Sequence, residues 1–416
     1  MAEERGTLRA IAWQEAFPAL RIFSALRMAL NFKALVLAAI AVAGMTAGWR
    51  TLGQIFADPD NPELARAIQQ HNAWPWHRPL SAPGVDEITT PRAWPAESPL
   101  LLAWDEMSGP LRQLYGVHPD PYHPYRPAPS FASFGYLLCC ALWGLLIWAF
   151  FGGAITRLAA VAFARQENVS LGQLAGFVSP RLSAYFVAPL FPIVGTLFMA
   201  AFMAALGLLM RAEIGVLLAS FVWPLVLLGA FMMAFLLVGL FFGFPLMWGA
   251  ISAEGTDSFG ALSHSYSYTY QRPLQYLLYG AIAAVVGVLG WYLVSLFAVL
   301  IIQLGNWGVS WGSGNARIES IYGPVSMGSA ADTGAAIIEF WNNCVRTIAF
   351  GFVFSYFWSA TTVIYFLLRR LIDATELDEV FMPNEDQKHG LPPLKTGPDG
   401  VPAVVDEAAA VSDEGE

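Results

Sequence analysis

Long, uninterrupted apolar runs constrain the fold of this chain more than any other feature. Hydrophobic residues make up 56% of its 416 residues and charged residues only 13%. The mean hydropathy is +0.52, which no ordinary water-soluble domain of this size shows. Because the runs are continuous and not alternating, a membrane β-barrel is disfavoured. We therefore predict an all-α, polytopic membrane helix bundle.

Each predicted span is judged by length, since a helix needs about 20 apolar residues to cross the hydrocarbon core. For the first run, a signal peptide cleaved after Ala41-Val42-Ala43 is the alternative, although the polar stretch ahead of it is too long for an ordinary n-region. About six transmembrane helices are predicted, at residues 34–56, 131–153, 184–210, 215–244, 276–302 and 344–368.

The remaining segments are predicted from composition. We assign residues 1–33 to an N-terminal segment whose Pro18–Phe32 part forms an interfacial amphipathic helix, with Leu20, Phe23, Leu26 and Leu30 on its apolar face. Residues 57–130 form an irregular loop rich in Pro and Trp.

Two short helices are expected inside this loop, around Pro62–Gln70 and Leu100–Tyr115, and Leu101, Trp104 and Leu111 of the second are expected to lie on the membrane. Residues 131–372 form a five-helix membrane domain. The acidic residues 373–416, rich in Pro and Gly, form a disordered tail.

Basic residues near the ends of the spans predict the orientation. With six spans, nine basic residues near the span ends fall on one side, which the positive-inside rule makes cytoplasmic. They are Arg21, Arg27, Lys33, Arg157, Arg165, Arg181, Arg272, Arg369 and Arg370. The N- and C-termini are then cytoplasmic, and the 57–130 loop lies outside the cytoplasmic (inner) membrane. Long loops translocate largely regardless of charge, so the arginines of that loop do not oppose this prediction.

Two connections carry nearly the same local sequence. Glu167–Leu174 and Glu254–Leu262 each follow one apolar run and precede another. This predicts two parallel hairpin repeats related by an axis along the membrane normal. Ser170 and Ser258 are predicted N-caps of short helices, because their hydroxyls can accept from unpaired backbone N–H groups.

The second connection carries a family resemblance. The stretch from Pro245 to Pro273 includes Ala253-Glu254-Gly255, Phe259, Ala261-Leu262, Ser265-Tyr266 and Arg272. It resembles the membrane domain attached to some glycerophosphoryl diester phosphodiesterases and related uncharacterised six-span bacterial families. His264, Tyr268 and Gln271 stand where that pattern has basic residues. The chain contains no catalytic phosphodiesterase domain, so the resemblance implies a fold and no activity.

A polar stripe opens the last apolar run, where Glu339, Asn342, Asn343 and Arg346 recur at helical spacing. An arginine inside a span is costly unless it is paired or hydrated, so one interpretation is a substrate or ion path lined by Arg346. The alternative is that Arg346 extends to the outer interface and pairs within its own helix with Asn342 or Asn343.

The two connections supply further candidates, Glu167 in the first and Glu254, Asp257 and His264 in the second. Carboxylates here could accept protons or bind a cytoplasmic partner. The alternative is helix capping, because the helix dipole favours acidic residues near helix N-termini. Between the two connections, we expect the second to carry any specific task.

The sequence otherwise contains only weak motifs for metal binding, catalysis or nucleic-acid binding. The loop histidines His71, His77, His118 and His123, with Asp120, match no familiar metal spacing, so we predict neither a metal nor a cofactor. Phosphate-loop and catalytic-triad motifs are missing from the sequence, which predicts a protein that is not an enzyme. The sequence has no basic footprint for nucleic acid.

The predicted function is therefore that of a non-enzymatic, multi-pass scaffold, assembly or accessory component of the cytoplasmic membrane. Its expected partners are membrane lipids and other membrane or envelope proteins. The alternative is a small-solute or lipid transporter, which the parallel repeat and the proline-bent helices favour. The shortage of ionisable residues within the spans opposes that alternative.

Overall fold

The computed structural model describes residues 17–58, 60–77, 98–114, 130–323 and 327–383, with the backbone of two short strands beyond. Much of the 57–130 loop, including His118, Asp120 and His123, lies outside the described residues. So does most of the predicted tail. The chain divides into two compact units, residues 1–379 and 380–416.

The described part of the first unit consists of helices and the connections between them. A 3₁₀ turn at Pro18–Phe23 precedes α1, and another at Ser179–Arg181 separates α6 from α7. The α-helices are α1 Ser24–Ala29, α2 Phe32–Phe56, α3 Pro62–His71, α4 Pro99–Leu114, α5 Phe131–Ala164, α6 Leu171–Val178, α7 Leu182–Val187, α8 Leu190–Leu209, α9 Glu213–Glu254, α10 Ser258–Gln271, α11 Pro273–Ser313, α12 Asn315–Tyr322 and α13 Ser329–Asp373.

Six helical stretches of the described chain are long and apolar enough to cross a membrane: α2, α5, the run from α6 to α8, α9, α11 and α13. Each of them covers one predicted span to within one residue. The prediction of an all-α, polytopic bundle is confirmed, and the chain is a multi-pass membrane protein. The two parallel repeats and the orientation stay predictions.

α13 forms the centre of the bundle, and its most apolar stretch is entirely buried. Aromatic rings fill the space around it: Trp358 stacks on Trp248 of α9 with centroids 4.4 Å apart, and Trp148 of α5 stacks on Phe354 at 4.6 Å. Gly152 makes this packing possible, because a Cβ there would lie 2.6 Å from the Trp248 ring. The core is therefore aromatic and closely packed.

The α8–α9 hairpin is packed very differently. In α8 only Pro192 and Thr196 are buried, and residues 220–238 of α9 are all exposed or half-buried. We call residues 190–238 the arm. Its two helices pack mainly on each other, whereas α9 beyond Gly239 enters the bundle against α5, α10 and α13. The arm therefore presents apolar side chains on most of its surface.

The N-terminal segment is helical from Pro18 to Ala29, as a 3₁₀ turn followed by the short α1. A face other than the predicted apolar one packs on the bundle, and the position of the segment at the membrane interface stays a prediction. Ile22, Ala25 and Ala29 are fully buried, and the Ser355 hydroxyl of α13 donates to the Ala29 carbonyl at 2.8 Å. The predicted apolar residues Leu20, Phe23 and Leu30 are exposed. Small residues approach α13 most closely, which hydropathy alone did not indicate.

The two helices predicted within the 57–130 loop are present as α3 and α4. α4 packs against α5, α11 and α13, and the Trp104 ring lies 4.8 Å from Phe241 and 5.9 Å from Phe244 of α9. Part of the loop therefore enters the helix bundle. A large aromatic side chain within a polar segment is the sequence signal for this packing.

The two similar connections have different caps. The Ser170 hydroxyl accepts from Gln173 N at 3.3 Å, and the Gln173 side chain accepts from Ser170 N at 2.9 Å, which forms a capping box. In the second connection Asp257 is the N-cap, accepting from Gly260 N at 2.8 Å. The predicted N-cap Ser258 is the first helical residue instead, so that prediction was wrong.

The predicted tail begins later than residue 373. Leu377 is buried, and Glu379 accepts a hydrogen bond from Arg369 of α13, so residues 374–379 pack with the first unit. In the second unit, Leu394–Thr396 (β1) and Pro402–Val404 (β2) pair antiparallel, with Lys395 opposite Ala403. Disorder in the rest of the tail stays a prediction.

Candidate functional site

A polar cluster forms where α9, α10 and α13 meet. α9 ends at Glu254 because Gly255 takes a left-handed conformation (φ 68°), which favours glycine. The chain then turns into α10, which runs back along α9. This turn brings the Glu254 carboxylate against the last turns of α13.

Glu254 accepts from two residues of α13. The Tyr365 hydroxyl lies 2.5 Å from Glu254 Oε1, and Arg369 Nε lies 3.0 Å from the same oxygen. His264 Nδ1 of α10 lies 3.5 Å from Glu254 Oε2. Only 16% of the Glu254 side chain and 10% of the Arg369 side chain are exposed, so the pair is largely shielded from water. We call Glu254, His264, Tyr365 and Arg369 the Glu254 cluster.

Neighbouring residues complete this cluster. Arg369 Nη1 donates to the Glu379 carbonyl at 2.9 Å, and the Tyr268 hydroxyl donates to the Asp373 carboxylate. Burial raises the pKa of the Tyr268 hydroxyl well above its ordinary value, and the Asp373 carboxylate raises it further. Tyr268 is therefore a neutral donor at physiological pH. The geometry suits a brace that joins the ends of three helices.

A second buried network lies nearby, between α5, α7 and α9. The Arg157 side chain donates from Nη1 to the Ser252 carbonyl at 2.8 Å, and its guanidinium lies 4.0 Å from the Phe177 ring centroid. The Ser252 hydroxyl lies 2.6 Å from Thr156 Oγ1 and 2.7 Å from the Tyr185 hydroxyl. This network was not predicted from the sequence, although an arginine next to a long apolar run was a usable signal.

A groove of about 560 Å³ lies between α2 and α13, and Trp76 borders it. Its walls are mainly apolar, with Ile40 on the α2 side and Phe340 and Ile348 on the α13 side. Glu339 and Asn343 of α13 supply polar groups. We call this cavity the Trp76 groove.

The predicted polar stripe divides between two surfaces. Glu339 and Asn343 line the Trp76 groove, whereas the Asn342 side chain faces α12 and donates to the Tyr322 hydroxyl at 2.9 Å. Arg346 is exposed and is not among the described residues that line the groove. A one-residue step turns a helix by about 100°, so adjacent asparagines face apart. The structure therefore does not place the four residues on one path.

The candidates in the second connection also separate. Glu254 and His264 belong to the Glu254 cluster, whereas Asp257 is an exposed N-cap. Capping, the alternative interpretation, holds for Asp257. It does not describe Glu254, which ends α9 and bonds to another helix.

His71 packs as a core residue. It is 7% exposed, its ring lies 5.1 Å from the Trp49 ring, and its Nδ1 lies 2.9 Å from the Ala67 carbonyl. Within the described part of the chain, His, Cys, Asp and Glu residues form no group of three suited to a metal ion.

Comparison with known proteins identifies no family for this chain. No protein-family model, curated protein or solved structure matches this chain. The resemblance to the phosphodiesterase-associated membrane domain therefore stays a prediction, and function is argued from the geometry alone.

Proposed function

We propose that this chain is a non-enzymatic scaffold, assembly or accessory protein of the cytoplasmic membrane, and that it holds a transmembrane helix of a partner protein along the arm. The observation that carries this proposal is the contrast in packing within one chain. The arm presents most of its surface outward, while the most apolar stretch of α13 is enclosed by its neighbours.

Small residues on the arm support helix packing. Ala201 and Ala205 are exposed one turn apart on α8, and Ala230 and Ala234 are exposed one turn apart on α9. In a bilayer, helices associate by close packing and not by a hydrophobic driving force, and small residues let two backbones approach. Both helices of the arm therefore offer a surface on which a partner helix fits.

The polar networks support a role without catalysis. Glu254, Tyr365 and Arg369 bond to one another, and the Ser252 hydroxyl bonds within its own network. Groups that satisfy each other in this way hold helices together. On this proposal they fix the bundle so that the arm stands in a defined position.

Site-specific photocrosslinking tests the arm. A photoreactive residue at Ala230, activated in native membranes, is expected to give a protein adduct of one discrete mass. The matched control is Ala281, which is exposed on α11 outside the arm. The same adduct from both positions, or lipid adducts alone from Ala230, would contradict the proposal.

Bulky substitutions provide the second part of this test. Ala230→Leu combined with Ala234→Leu should reduce the co-purified partner about tenfold, because the larger side chains keep the backbones apart. Ala281→Leu should leave the partner bound. An adduct with the mass of two copies of this chain would identify the partner as a second copy and would sink the assignment to a different protein.

The proposed orientation has its own test. Phe259→Cys, in α10, should react with a membrane-impermeant thiol reagent only after the cells are opened, whereas Ser320→Cys, in α12, should react from outside. The unsubstituted chain measures the background from Cys139, Cys140 and Cys344. Labelling of Phe259→Cys in intact cells would reverse the orientation.

The Trp76 groove favours the alternative, a lipid transporter. A cavity that opens between two spans can admit a lipid from the side. Lipid movement across reconstituted vesicles that stops when Ala43→Phe fills the groove, and that is unaffected by the leucine substitutions in the arm, would favour this alternative over the scaffold.

A further inference from the structure

We propose that the Trp76 groove binds one phospholipid whose headgroup carries a primary ammonium, of the phosphatidylethanolamine class. This inference concerns a ligand site on α2 and α13 and does not depend on the role of the arm. Three observations carry it: the lateral opening of the groove, the chemistry of its polar side chains, and the position of its tryptophans.

The groove is accessible from the side. Ile40 is 50% exposed, Phe340 is 58% exposed and Ile348 is 36% exposed, and all three line it. Apolar side chains exposed between two spans face lipid in a membrane. An acyl chain can therefore enter without any helix moving apart.

The polar side chains of the groove include hydrogen-bond acceptors that suit a ligand with N–H donors. The Glu339 carboxylate is exposed on α13, and Asn343 Oδ1 is buried without a hydrogen-bond partner among the described residues. The Thr347 hydroxyl already donates to the Asn343 carbonyl of its own helix at 2.7 Å. None of the described lining residues is basic.

A primary ammonium matches these acceptors. It carries a positive charge for Glu339 and three N–H donors for the oxygens of its carboxylate. A choline headgroup has the charge but no N–H donor, and a glycerol headgroup on an anionic phosphate lacks the positive charge. The acceptors therefore select for an amine among common phospholipid headgroups.

Tryptophan positions place the polar end at the membrane interface. Trp76 lines the groove and stacks on Trp74 at 4.6 Å, and Trp341, next to the groove residue Phe340, is 64% exposed. Exposed tryptophans mark the headgroup level. From Glu339 to Ile348 the helix rises about 13 Å. A headgroup at Glu339 thus leaves room for an acyl chain along the apolar part.

The test uses the full-length chain in detergent and native mass spectrometry. The protein is mixed with equal amounts of phosphatidylethanolamine, phosphatidylcholine and phosphatidylglycerol that carry identical oleoyl chains. We expect one phosphatidylethanolamine to be retained about tenfold more than phosphatidylcholine, as for a charge-assisted hydrogen bond. Equal retention of these two lipids would overturn the proposal, and preferred retention of phosphatidylglycerol would do the same.

Variants then locate the site. Glu339→Gln should bring retention of the amine and choline lipids to within about twofold of each other. Glu339→Asp should restore the preference. The matched control Glu319→Gln removes an exposed carboxylate from α12 and should behave as wild type. A preference that survives in Glu339→Gln would overturn the assignment. Because Glu339 is exposed, its substitution leaves the packed core unchanged, and an unaltered unfolding temperature verifies this.

Discussion

The arm and the centre of α13 are both long apolar helices, yet they differ completely in packing. The α9 stretch has the highest hydropathy of the six candidate spans and is 11% buried, whereas the α13 stretch has the lowest hydropathy and is 100% buried. Hydropathy and burial therefore run in opposite directions here. In water the reverse order would be expected, because burial removes apolar surface from solvent.

Hydrogen bonding explains the inversion. α13 carries hydroxyl groups that need partners, and lipid provides none. Ser355 donates to the Ala29 carbonyl, and Tyr356 donates to the Ala283 carbonyl at 2.6 Å. The arm residues that face outward have few such groups. In this chain, polarity within an apolar run marks the helix that lies inside, and the most apolar run marks the helix that faces away from the rest of the chain.

The largest expected effect comes from breaking the Glu254 cluster at the end of α13. Arg369→Met removes the cation beside the shielded Glu254 carboxylate and should lower the free energy of unfolding by about 3 kcal/mol. The matched control Arg211→Met replaces an exposed arginine at the tip of the arm and should cost less than about 0.5 kcal/mol.

Unfolding temperatures in detergent, followed by near-ultraviolet circular dichroism, measure this difference. Similar shifts for Arg369→Met and Arg211→Met would mean that the cluster is not a brace. The end of the enclosed helix α13 would then be held no more strongly than the arm.

Alanine substitutions at two glycines should differ in stability by a smaller amount. Gly152→Ala puts a methyl group 2.6 Å from the Trp248 ring and 3.0 Å from the Trp358 ring, which are stacked and cannot easily move. Overpacking of this kind costs about 2 kcal/mol. A methyl group added at Gly207, in the arm, would meet only open space. Gly207→Ala should be neutral or should stabilise the helix by up to about 1 kcal/mol.

Thermal unfolding of both variants in the same detergent, or in nanodiscs, measures the sign directly. A loss of stability in Gly207→Ala as large as that in Gly152→Ala would contradict an exposed arm. It would show that a surface of the protein covers Gly207.

The fold was predictable where a single physical constraint sets the pattern. Hydrocarbon thickness fixes the length of a span, so the runs beginning near Phe131, Gly215 and Tyr276 were identified without knowledge of tertiary contacts. The buried face of a helix depends on its neighbours. For that reason the burial of Ile22 in the bundle was not predicted, although Leu20 and Phe23 were identified as part of an apolar face.

The candidate site was predictable only in part for the same reason. Glu254 and His264 stood out in their connection, but the partner Tyr365 lies 111 residues away in the sequence. Arg369 was used only as a charge flanking the last span. Helical spacing placed Glu339 and Asn343 on one face with Arg346. Which of these side chains line the groove depends on where α2 and α12 pack, and local spacing does not show that.

The smallest expected difference in stability is between two substitutions that each remove a single hydroxyl group. Tyr356 is fully buried and bonds across to α11, so Tyr356→Phe should cost about 1 kcal/mol. Ser220 is exposed on the arm and donates to the Leu217 carbonyl of its own helix at 2.7 Å. Ser220→Ala should therefore change stability by only a few tenths of a kcal/mol, because a bond to the same helix adds little. Unfolding curves with both variants in one detergent resolve the two values. A cost for Ser220→Ala equal to that of Tyr356→Phe would contradict the exposed arm, because it would place the Ser220 hydroxyl against another part of this chain.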